Sequence, residues 1–410
     1  MGNWLKDKIP FPVKLAVKRQ RARLSALRSG PQTETFADYK QNIHGLTRGG
    51  LVVFDDRIPT PDLDAGSARM FLLLRMLAKH YRTVFIYKGK SAETRYERAL
   101  WQEGVETFDL IHYRRVLKEH DFNCAILSRP DIAHVVIRSL RSLAPKMKII
   151  FDTVDAHYRR LDLEYQLTGD LSVLEKAKHY RKLELALVRL SDIVWCTSPA
   201  DKESMLSDAP GKPVAIIPTI HPLHERGGSF DEREGLLFVG NFNHSPNRDA
   251  VEFFVKDVLP LIRRSLPNVR LDVVGSNAPP NFKQYASETV CFHGYVPDIA
   301  PLLGSSRVFV APLRFGAGVK GKIGESLSHG LPVVTTDVGA EGMGFENGKH
   351  VMIANDAESL AETVIRVYKD RELWEQLVEQ GYEHIAQFFS PESLEKTVIG
   401  SIDDAVSSVA

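Results

Sequence analysis

The residues RVFVAPLRFGAGVKGKIGESLSHGLPVVTTD, numbered 307–337, join an apolar run, a glycine-rich loop, a short helical pattern and a second apolar run. The apolar runs 307–313 and 332–337 predict strands, and residues 322–330 between them predict a helix. A strand, a crossover helix and a second strand form the unit from which parallel sheets are built. The stretch therefore predicts an α/β protein with a parallel sheet.

The same alternation runs through most of the chain from residue 51 onward. Further strands are predicted at 51–56, 82–87, 124–128, 148–153, 192–198, 235–241, 269–276 and 290–295. Helices are predicted at 67–80 with Ser67 as N-cap, at 171–190, 247–265 and 357–389, and in a last short segment after Pro391. This pattern predicts two Rossmann-like doubly wound domains that face each other across a cleft.

The domain boundaries are predicted from a break in this pattern that is rich in proline, glycine and charge. We expect a basic extension over 1–50, an N-terminal domain over 51–217, a linker over 218–234 and a C-terminal domain over 235–390. Residues 391–410 are expected to form a C-terminal helix that packs back on the N-terminal domain. Ligands of such folds bind beyond the carboxyl ends of the strands, so we expect the site in the cleft.

The overall composition is that of a globular protein, with 53 Lys or Arg, 52 Asp or Glu and a formal net charge of +1. No run reaches the roughly 18 apolar residues of a spanning helix, and no signal peptide is recognised. Cys124, Cys196 and Cys291 lie far apart without metal-ligand spacing. They predict buried thiols in a reducing compartment, the cytoplasm.

Residues 1–30 are strongly basic, with eight Lys or Arg against the single acid Asp7. The rest of the chain is mildly acidic, which argues against nucleic acid as a partner. Trp4 and other apolar residues accompany the basic ones, a combination that can lie on an anionic membrane surface. Two alternatives stay open: peripheral contact with the inner face of the cell membrane, or a solvated or packed tail.

The glycine-rich loop has the composition of an anion site. Gly316, Gly318 and Gly321 allow backbone N–H groups to approach an anion at the start of a helix. Lys320 and Lys322 add positive charge, which suits a diphosphate without a metal. No GxGxxG follows the first strand, and the chain lacks P-loop, GxSxG, HExxH and paired CxxC motifs, so other common catalytic classes have no signature.

Glu325 lies one turn into the predicted helix after that loop. A carboxylate beside phosphates is unfavourable unless it bonds hydroxyl groups, as the acid on the ribose does in dinucleotide sites. We therefore predict a nucleoside diphosphate with its phosphates on the two lysines and its ribose on Glu325. The alternative is a glycine-rich surface loop with exposed lysines.

Residues 235–345 resemble the C-terminal donor domain of glycosyltransferase family 4, a family of retaining enzymes with the GT-B fold. The resemblance rests on FVGNF, VGS, FHGYVPD and VFVAPLRFGAGVKGKIGESLSHGLPVVTTDVGAEGM. The N-terminal half is similar more loosely, through IPTPDLDAGSARM and FDTVDAHY. The resemblance implies sugar transfer from a nucleotide sugar with retention of configuration, with no metal and no other cofactor.

The chain departs from the family pattern at two points. The family usually has two glutamates; Glu325 matches the second, but Ala317 stands at the first. Asn241 replaces the usual Arg and Lys after the first strand of this domain, so the diphosphate charge should fall on the loop lysines, with Arg248 as a weaker candidate. The resemblance implies further donor contacts at Gly240, Asn241, Gly294, Tyr295, Val296, Gly66 and Ser67.

In the N-terminal domain, Asp155 and His157 follow a predicted strand where family members carry a histidine beside the reacting sugar. Either residue is expected to orient the acceptor hydroxyl or to take its proton, although the leaving phosphate can take that proton instead. The catalytic set predicted is therefore Lys322, Glu325, Asp155 and His157. Further cleft candidates are His244 and the loop of Gly339, Ala340 and Glu341. The acids Asp62 and Asp64 also lie there; we interpret them as loop and cap residues and not as a metal-binding D-x-D.

The expected function is transfer of a sugar to a glycan or a polyprenyl-linked saccharide, in bacterial surface polysaccharide synthesis. Two alternatives remain. A sugar-nucleotide 2-epimerase shares the architecture and needs no acceptor. A non-catalytic component of a glycan assembly complex would bind the nucleotide sugar without turning it over.

Overall fold

The computed structural model describes Phe36, Ala37, Tyr39 and residues 48–89, 94–316 and 318–407. The predictions for the basic segment 1–30 and for Ala317 lie outside the described residues. In the described part, two parallel sheets of seven and six strands form two domains, as the sequence predicts. No helix of that part is both long and apolar enough to cross a bilayer.

The N-terminal sheet has the strand order β3-β2-β1-β4-β5-β6-β7. Its strands are β1 Gly50–Asp55, β2 Arg82–Tyr87, β3 Glu106–Asp109, β4 Cys124–Ser128, β5 Lys148–Asp152, β6 Ile193–Cys196 and β7 Val214–Ile216. The register aligns Leu51 with Thr83 on one side and with Cys124 on the other. The strand order reverses between β1 and β4, the position at which doubly wound sheets bind ligands.

The crossover helices of this domain cover both faces of the sheet. They are α1 Ala65–Ala78, α2 Thr94–Gln102, α3 Tyr113–Glu119, α4 Pro130–Leu143, α5 His157–Thr168, α6 Leu171–Leu190 and α7 Pro199–Asp208. The prediction that Ser67 caps the first helix is wrong. Asp64 is the N-cap, and its side chain accepts a hydrogen bond from Ser67 N, so the helix begins two residues earlier than predicted.

The C-terminal sheet has the order β10-β9-β8-β11-β12-β13. Its strands are β8 Leu236–Val239, β9 Leu271–Val274, β10 Val290–Gly294, β11 Val308–Ala311, β12 Val333–Thr335 and β13 Met352–Ile353. The order reverses between β8 and β11, and β11 leads into the glycine-rich loop. Both switch points therefore face the cleft between the domains.

The helices of the second half differ from the prediction in several places, the first being a π-helical turn at Phe254–Val258 that interrupts the predicted helix 247–265. They are α8 Ser245–Phe253, α9 Leu259–Arg263, α10 Ala300–Ser305, α11 Gly321–Ser328, α12 Asp337–Ala340, α13 Ala357–Lys369, α14 Arg371–Phe388 and α15 Pro391–Ser407. The predicted helix 357–389 divides at Asp370, whose carboxylate accepts from Leu373 N and caps α14. The last helix, predicted to be short, has 17 residues.

Strands β3, β7 and β13 are not predicted from the sequence. Each lies at or next to the edge of its sheet and is only partly buried along its length. A strand that is exposed on one side lacks the continuous apolar run that marks a central parallel strand. The central strands, which are buried on both faces, are the ones that the sequence predicts.

The C-terminal helix α15 belongs to the core of the N-terminal domain. Leu394, Val398 and Ile402 are buried in one cluster with Leu51 and Val53 of β1. The chain therefore returns to its first domain after completing the second.

The connection between the domains is held by specific contacts. Arg69 of α1 is fully buried, forms an ion pair with Asp152 at 2.8 Å and donates to the carbonyls of Ile217 and Pro218. Farther along, His221 N donates to Phe389 O. These contacts fix the path of residues 217–221 at the base of the cleft.

Candidate functional site

Lys322 is the second residue of α11 and lies against the loop that follows β8. Its Nζ donates a hydrogen bond to Asn247 Oδ1 and lies 4.5 Å from the centroid of the Phe238 ring. A Cβ atom on Gly240 would be 2.8 Å from Asn247 Cγ and 2.9 Å from this Nζ, so a side chain at that position would displace Asn247 or Lys322. Burial, and then the charge of Lys320, lower the pKa of Lys322 to about 7.

Lys320 precedes α11 and reaches back over the glycine-rich loop. Its Nζ donates to Gly318 O at 2.6 Å and lies 3.9 Å from a carboxylate oxygen of Glu341. Burial lowers the pKa of Lys320 to about 8, against the opposing charge of Glu341. Among the described residues, no side chain caps the start of α11. Two cationic groups thus converge on a helix N-terminus that has no capping side chain.

The loop glycines have backbone conformations that other residues rarely adopt. Gly316 has φ 136° and Gly318 has φ 71°. Gly321 begins α11, and a Cβ atom there would be 2.5 Å from Ala65 Cβ at the start of α1. The two helix starts, one from each domain, therefore touch.

Glu325 lies one turn into α11 with its side chain 36% exposed. Burial raises the pKa of its carboxyl group, but the nearby imidazoles of His221, His329 and His224 outweigh burial and lower it. His221 presses against Gly324, where a Cβ atom would be 2.2 Å from its Nε2. Glu325 is therefore held as a carboxylate at the cleft.

The loop after β8 is braced by its own side chains. Asn247 Nδ2 donates to Asn241 O at 2.7 Å, and Asn241 Oδ1 accepts from Asn243 N. Arg248 Nη1 donates to Phe242 O at 2.7 Å. The weaker phosphate candidate Arg248 thus has part of its guanidinium engaged by loop carbonyls.

The predicted base-binding residues lie at the end of β10. Gly294 ends the strand with φ 67°, and Val296 packs on the core of the C-terminal domain. The Tyr295 hydroxyl donates to Asp62 Oδ2 at 2.7 Å, and Tyr96 also donates to Asp62. Tyr295 therefore contacts the N-terminal domain across the cleft.

The loop between β1 and α1 supplies a small concave surface. Asp64 accepts from Ser67 N at 2.8 Å and from the Ser67 hydroxyl at 3.0 Å. A Cβ atom on Gly66 would lie 3.3 Å from Arg129 Nη2. Because Asp62 bonds tyrosines and Asp64 caps α1, the interpretation of these acids as loop and cap residues is confirmed.

Two residues at the ends of β4 and β5 have unusual backbones beside this loop. Arg129 has φ 68° and Val154 has φ 63°, a costly conformation for a branched side chain. Arg129 Nε donates to Asp55 Oδ1 at 2.8 Å. Burial raises the pKa of Asp55 to about 7, although the Arg129 charge opposes it. Strain of this kind concentrates at functional sites.

Asp155 and His157 are neighbours, as their spacing suggests. His157 Nδ1 lies 3.2 Å from Asp155 Oδ1 and 3.4 Å from Glu184 Oε1. Burial lowers the pKa of His157, but Asp155 and then Glu184 outweigh burial and raise it. Burial raises the pKa of Asp155, and the charges of His157, Arg160 and Arg129 reverse this and lower it.

Several ion pairs and hydrogen bonds cross the cleft around these groups. Arg159 of α5 forms an ion pair with Glu341, the residue after α12. Ser245 Oγ at the start of α8 donates to Glu164 Oε1 at 2.9 Å. His244 precedes Ser245 on the same side. The two predicted halves of the site therefore meet in one place.

Among the described residues, one group has three side chains that could bind a metal ion: His224, Glu325 and His329. The two imidazole rings stack with centroids 4.0 Å apart and planes 15° apart. The lone pairs of ring nitrogens lie in the ring planes, so nearly parallel stacked rings cannot aim at one ion. We therefore assign no metal to this group.

A cavity of about 530 Å³ lies elsewhere between the domains. It is lined by Pro199 and Pro218 on one side and by Met343, His350 and His384 on the other. None of the predicted donor-binding residues lines it, so we do not assign the nucleotide to it.

Sequence reasoning missed several groups of the site. They are Arg129, Arg160, Glu184, His221 and Asn247. Arg160 lies two residues after the end of the matched segment FDTVDAHY and could have been found there. Glu184 lies within a charged helical pattern and has no signal, because only the fold brings it to the start of α5.

Comparison with known proteins agrees with this architecture. Residues 233–370 match the family model described as Glycosyl transferases group 1. The chain is 26% identical over 165 residues to an uncharacterized 44.6 kDa protein in the cps region of Klebsiella pneumoniae, covering 38% of this chain and 42% of that protein. It is 26% identical over 160 residues to phosphatidyl-myo-inositol mannosyltransferase of Mycobacterium leprae (strain TN), covering 37% and 42%. The chain thus spans less than half the length of the curated relatives it matches.

Solved structures are similar over both domains. Sucrose-phosphate synthase from Thermosynechococcus elongatus has a TM-score of 0.69 at 14% identity, over 88% of this chain and 100% of that one. Anabaena Alr3699/HepE in complex with UDP and glucose has a TM-score of 0.60 at 14% identity, over 87% and 100%. The C-terminal domain of this chain matches the glycosyl transferases group 1 family model, and the chain as a whole has the GT-B fold.

Proposed function

We propose that the protein is a retaining glycosyltransferase that takes a sugar from a nucleoside diphosphate sugar. The acceptor would be a hydroxyl of a glycan or of a lipid-linked saccharide. One observation carries the proposal: two largely buried lysines converge on the uncapped start of α11, one turn before Glu325.

The lysines explain how a diphosphate would be held. Burial lowers the pKa values of Lys320 and Lys322 to about 8 and about 7. Lys320 has the Glu341 carboxylate 3.9 Å away, whereas no described carboxylate forms an ion pair with Lys322, so its ammonium form lacks counter-charge. A diphosphate would supply that charge, and backbone N–H groups of the helix start would bind its oxygens. Glu325 would accept hydrogen bonds from the ribose hydroxyls.

In the transfer step, the bond from the sugar C1 to the phosphate oxygen breaks, and its electron pair leaves with the diphosphate. The acceptor oxygen forms the new bond to C1 on the same face. The lysines would stabilise the negative charge that develops on the departing diphosphate. Holding both reactants in the cleft would supply the orientation.

We assign the acceptor proton to the leaving phosphate. The raised pKa of His157 favours its protonated form, and the lowered pKa of Asp155 makes its carboxylate a weak base. Both residues are better suited to orient hydroxyl groups by hydrogen bonds. We therefore place them beside the sugar or the acceptor as positioning residues.

The relatives support the chemical class. HepE is crystallised with UDP and glucose, and the Mycobacterium leprae relative is named as a mannosyltransferase. The Klebsiella relative lies in a cps region, in keeping with a role in bacterial surface polysaccharide synthesis.

The proposal is tested by measuring thermal stabilisation with a panel of nucleoside diphosphates and their sugars. Compounds that stabilise the protein are then incubated with and without saccharide acceptors, and the products are separated. We expect stabilisation by one nucleoside diphosphate series, lost in Lys322→Ala, and acceptor-dependent release of the diphosphate. An altered nucleotide sugar formed without any acceptor would identify a 2-epimerase instead. Binding with no turnover would identify a non-catalytic component.

A further inference from the structure

Helix α5 faces the C-terminal domain with two residues that are one turn apart. Glu164 accepts a hydrogen bond from Ser245 Oγ at 2.9 Å, which ties this face of α5 to the loop after β8. Arg160 lies on the same face, and its side chain is 27% exposed. This face of α5 is thus one wall of the cleft that holds the glycine-rich loop.

Arg160 is separated from the glycine-rich loop by one side chain. Its Nε donates to Asp155 Oδ2 at 3.0 Å. Asp155 Cβ is 3.5 Å from the position that a Cβ on Gly318 would take, and Gly318 O accepts from Lys320 Nζ. Within the described part of the chain, the two terminal nitrogens of Arg160 have no hydrogen bond.

The electric field at His244 agrees with this placement. His244 precedes the serine that bonds α5. Burial lowers its pKa most, and the positive charges of Arg160 and Lys322 lower it further. Arg160 and Lys322 therefore act on one imidazole from opposite domains, which puts them around the same space.

We propose that Arg160 binds the diphosphate of the donor from the N-terminal side of the cleft. This inference rests on the proposed function. On the loop after β8, the uncharged Asn241 is bonded to Asn243 N and Asn247 Nδ2, and Arg248 is bonded to the carbonyl of Phe242. The planar fork of an arginine suits two phosphate oxygens better than a single ammonium does.

The hydrogen bond to Asp155 orients Arg160 for phosphate binding. By occupying Nε, the carboxylate orients the guanidinium and leaves its two terminal nitrogens for a ligand. In return, Arg160 neutralises a carboxylate that would otherwise repel phosphates at Gly318. Because α5 belongs to the other domain, the diphosphate would bind tightly only while the two domains are apposed.

The test is calorimetric binding of UDP and GDP, with UMP and GMP as matched monophosphates. We expect Arg160→Ala to weaken binding of the diphosphate by roughly 10-fold or more and of the monophosphate by less than about 3-fold. Arg160→Lys should lie between the alanine variant and the wild type. Arg181→Ala is the control, since Arg181 forms an ion pair with Asp208 on the outer side of α6. Melting temperatures check that each variant is folded.

A double variant separates the loss of Arg160 from the effect of an unpaired Asp155. The double variant Arg160→Ala, Asp155→Asn lacks both the guanidinium and the carboxylate. If it still prefers the diphosphate over the monophosphate less than the wild type does, the guanidinium itself binds phosphate. Wild-type binding restored in the double variant would overturn the inference. The inference about Arg160 is also wrong if Arg160→Ala binds diphosphates normally while Lys322→Ala does not. If neither variant changes binding, or the wild type binds no nucleoside diphosphate of the stabilisation panel, the proposed function fails together with it.

Discussion

Lys322 is a buried cation whose position is set by three neighbours: Asn247, the ring of Phe238 and the missing side chain of Gly240. A buried ammonium without a carboxylate partner is destabilising unless a ligand supplies negative charge. Such groups are retained where function needs them. At the scale of single residues, this side chain is the strongest sign of an anionic ligand.

Replacing Lys322 by methionine should stabilise the protein. The pKa of Lys322 in the folded protein is about 7, below the 10.5 of an ordinary lysine. Between these pH values the unfolded chain holds a proton that the folded chain lacks, so the free energy of unfolding of the wild type rises with pH. We expect Lys322→Met to gain about 1–2 kcal/mol at pH 7 and less at pH 10. Urea denaturation at both pH values checks this; equal gains at both would contradict the buried-charge account.

Glu325 should determine the preference for ribose. If its carboxylate bonds the ribose hydroxyls, Glu325→Gln weakens UDP binding by roughly 10-fold or more, since hydrogen bonds to charged groups contribute about 1.5–3 kcal/mol. The compound 2′,3′-dideoxy-UDP lacks those hydroxyls and should bind both forms with similar affinity. Calorimetry on the wild type and Glu325→Gln, each with UDP and with 2′,3′-dideoxy-UDP, gives the coupling energy between Glu325 and the ribose hydroxyls. An equal loss for both nucleotides would place Glu325 elsewhere in the site.

That the glycine-rich loop, its two lysines and Glu325 lie together was predictable because these residues occur within ten positions of one another. Glu184 and His221 were not, because their roles depend on contacts between distant parts of the chain. His221 reaches Gly324 from the linker, and Glu184 reaches the start of α5 from the middle of α6. No local sequence pattern predicts either contact.

At the scale of elements, the start of α1 forms the floor of the cleft, and Asp64 determines where the helix begins. Asp64→Ala removes the acceptor for Ser67 N and the partner of the Ser67 hydroxyl. We expect a loss of about 1 kcal/mol in the free energy of unfolding.

Asp64→Asn is the matched control, because asparagine caps helices as well as aspartate does. Chemical denaturation of the wild type, Asp64→Ala and Asp64→Asn measures how much the capping hydrogen bond contributes to the free energy of unfolding. If both variants lose the same stability, the charge of Asp64 matters and not its capping hydrogen bond.

The central strands and the longer helices were predictable from periodicity, since strands buried on both faces are continuous apolar runs. The starts and breaks of helices were harder. Ser67 and Asp64 are both good caps three residues apart, and although both were predicted as cap residues, the helix start was placed at Ser67, two residues too late. At Asp370 a capping aspartate divides two helices that share one apolar pattern.

At the scale of the whole molecule, the chain crosses from the first domain to the second and returns through α15. Ile402 is fully buried against the N-terminal sheet. Ile402→Ala should therefore lower the stability of the N-terminal domain by about 2–4 kcal/mol, although the residue lies near the other end of the chain.

The exposed residue Asp404 on the same helix gives the control Asp404→Ala, which should change stability by less than about 0.5 kcal/mol. Thermal unfolding followed by calorimetry, together with proteolysis of residues in β1, reports on the first domain. If Ile402→Ala leaves β1 as protected as in the wild type, α15 does not support that domain.

The two-domain architecture was predictable from the repeated alternation of strands and helices. The way the cleft closes was not. Contacts such as Tyr295 with Asp62 and Arg159 with Glu341 join residues more than 180 positions apart. They depend on how the two domains are placed relative to each other, and sequence periodicity does not predict that placement.

The central claim is that a nucleoside diphosphate binds at the start of α11. The most direct measurement is a crystal structure of the protein with the nucleoside diphosphate that stabilises it most. The account predicts phosphate oxygens within about 3 Å of Lys320 Nζ and Lys322 Nζ, with the ribose hydroxyls on Glu325. A diphosphate bound away from α11, for example in the cavity beside His350 and His384, would contradict it.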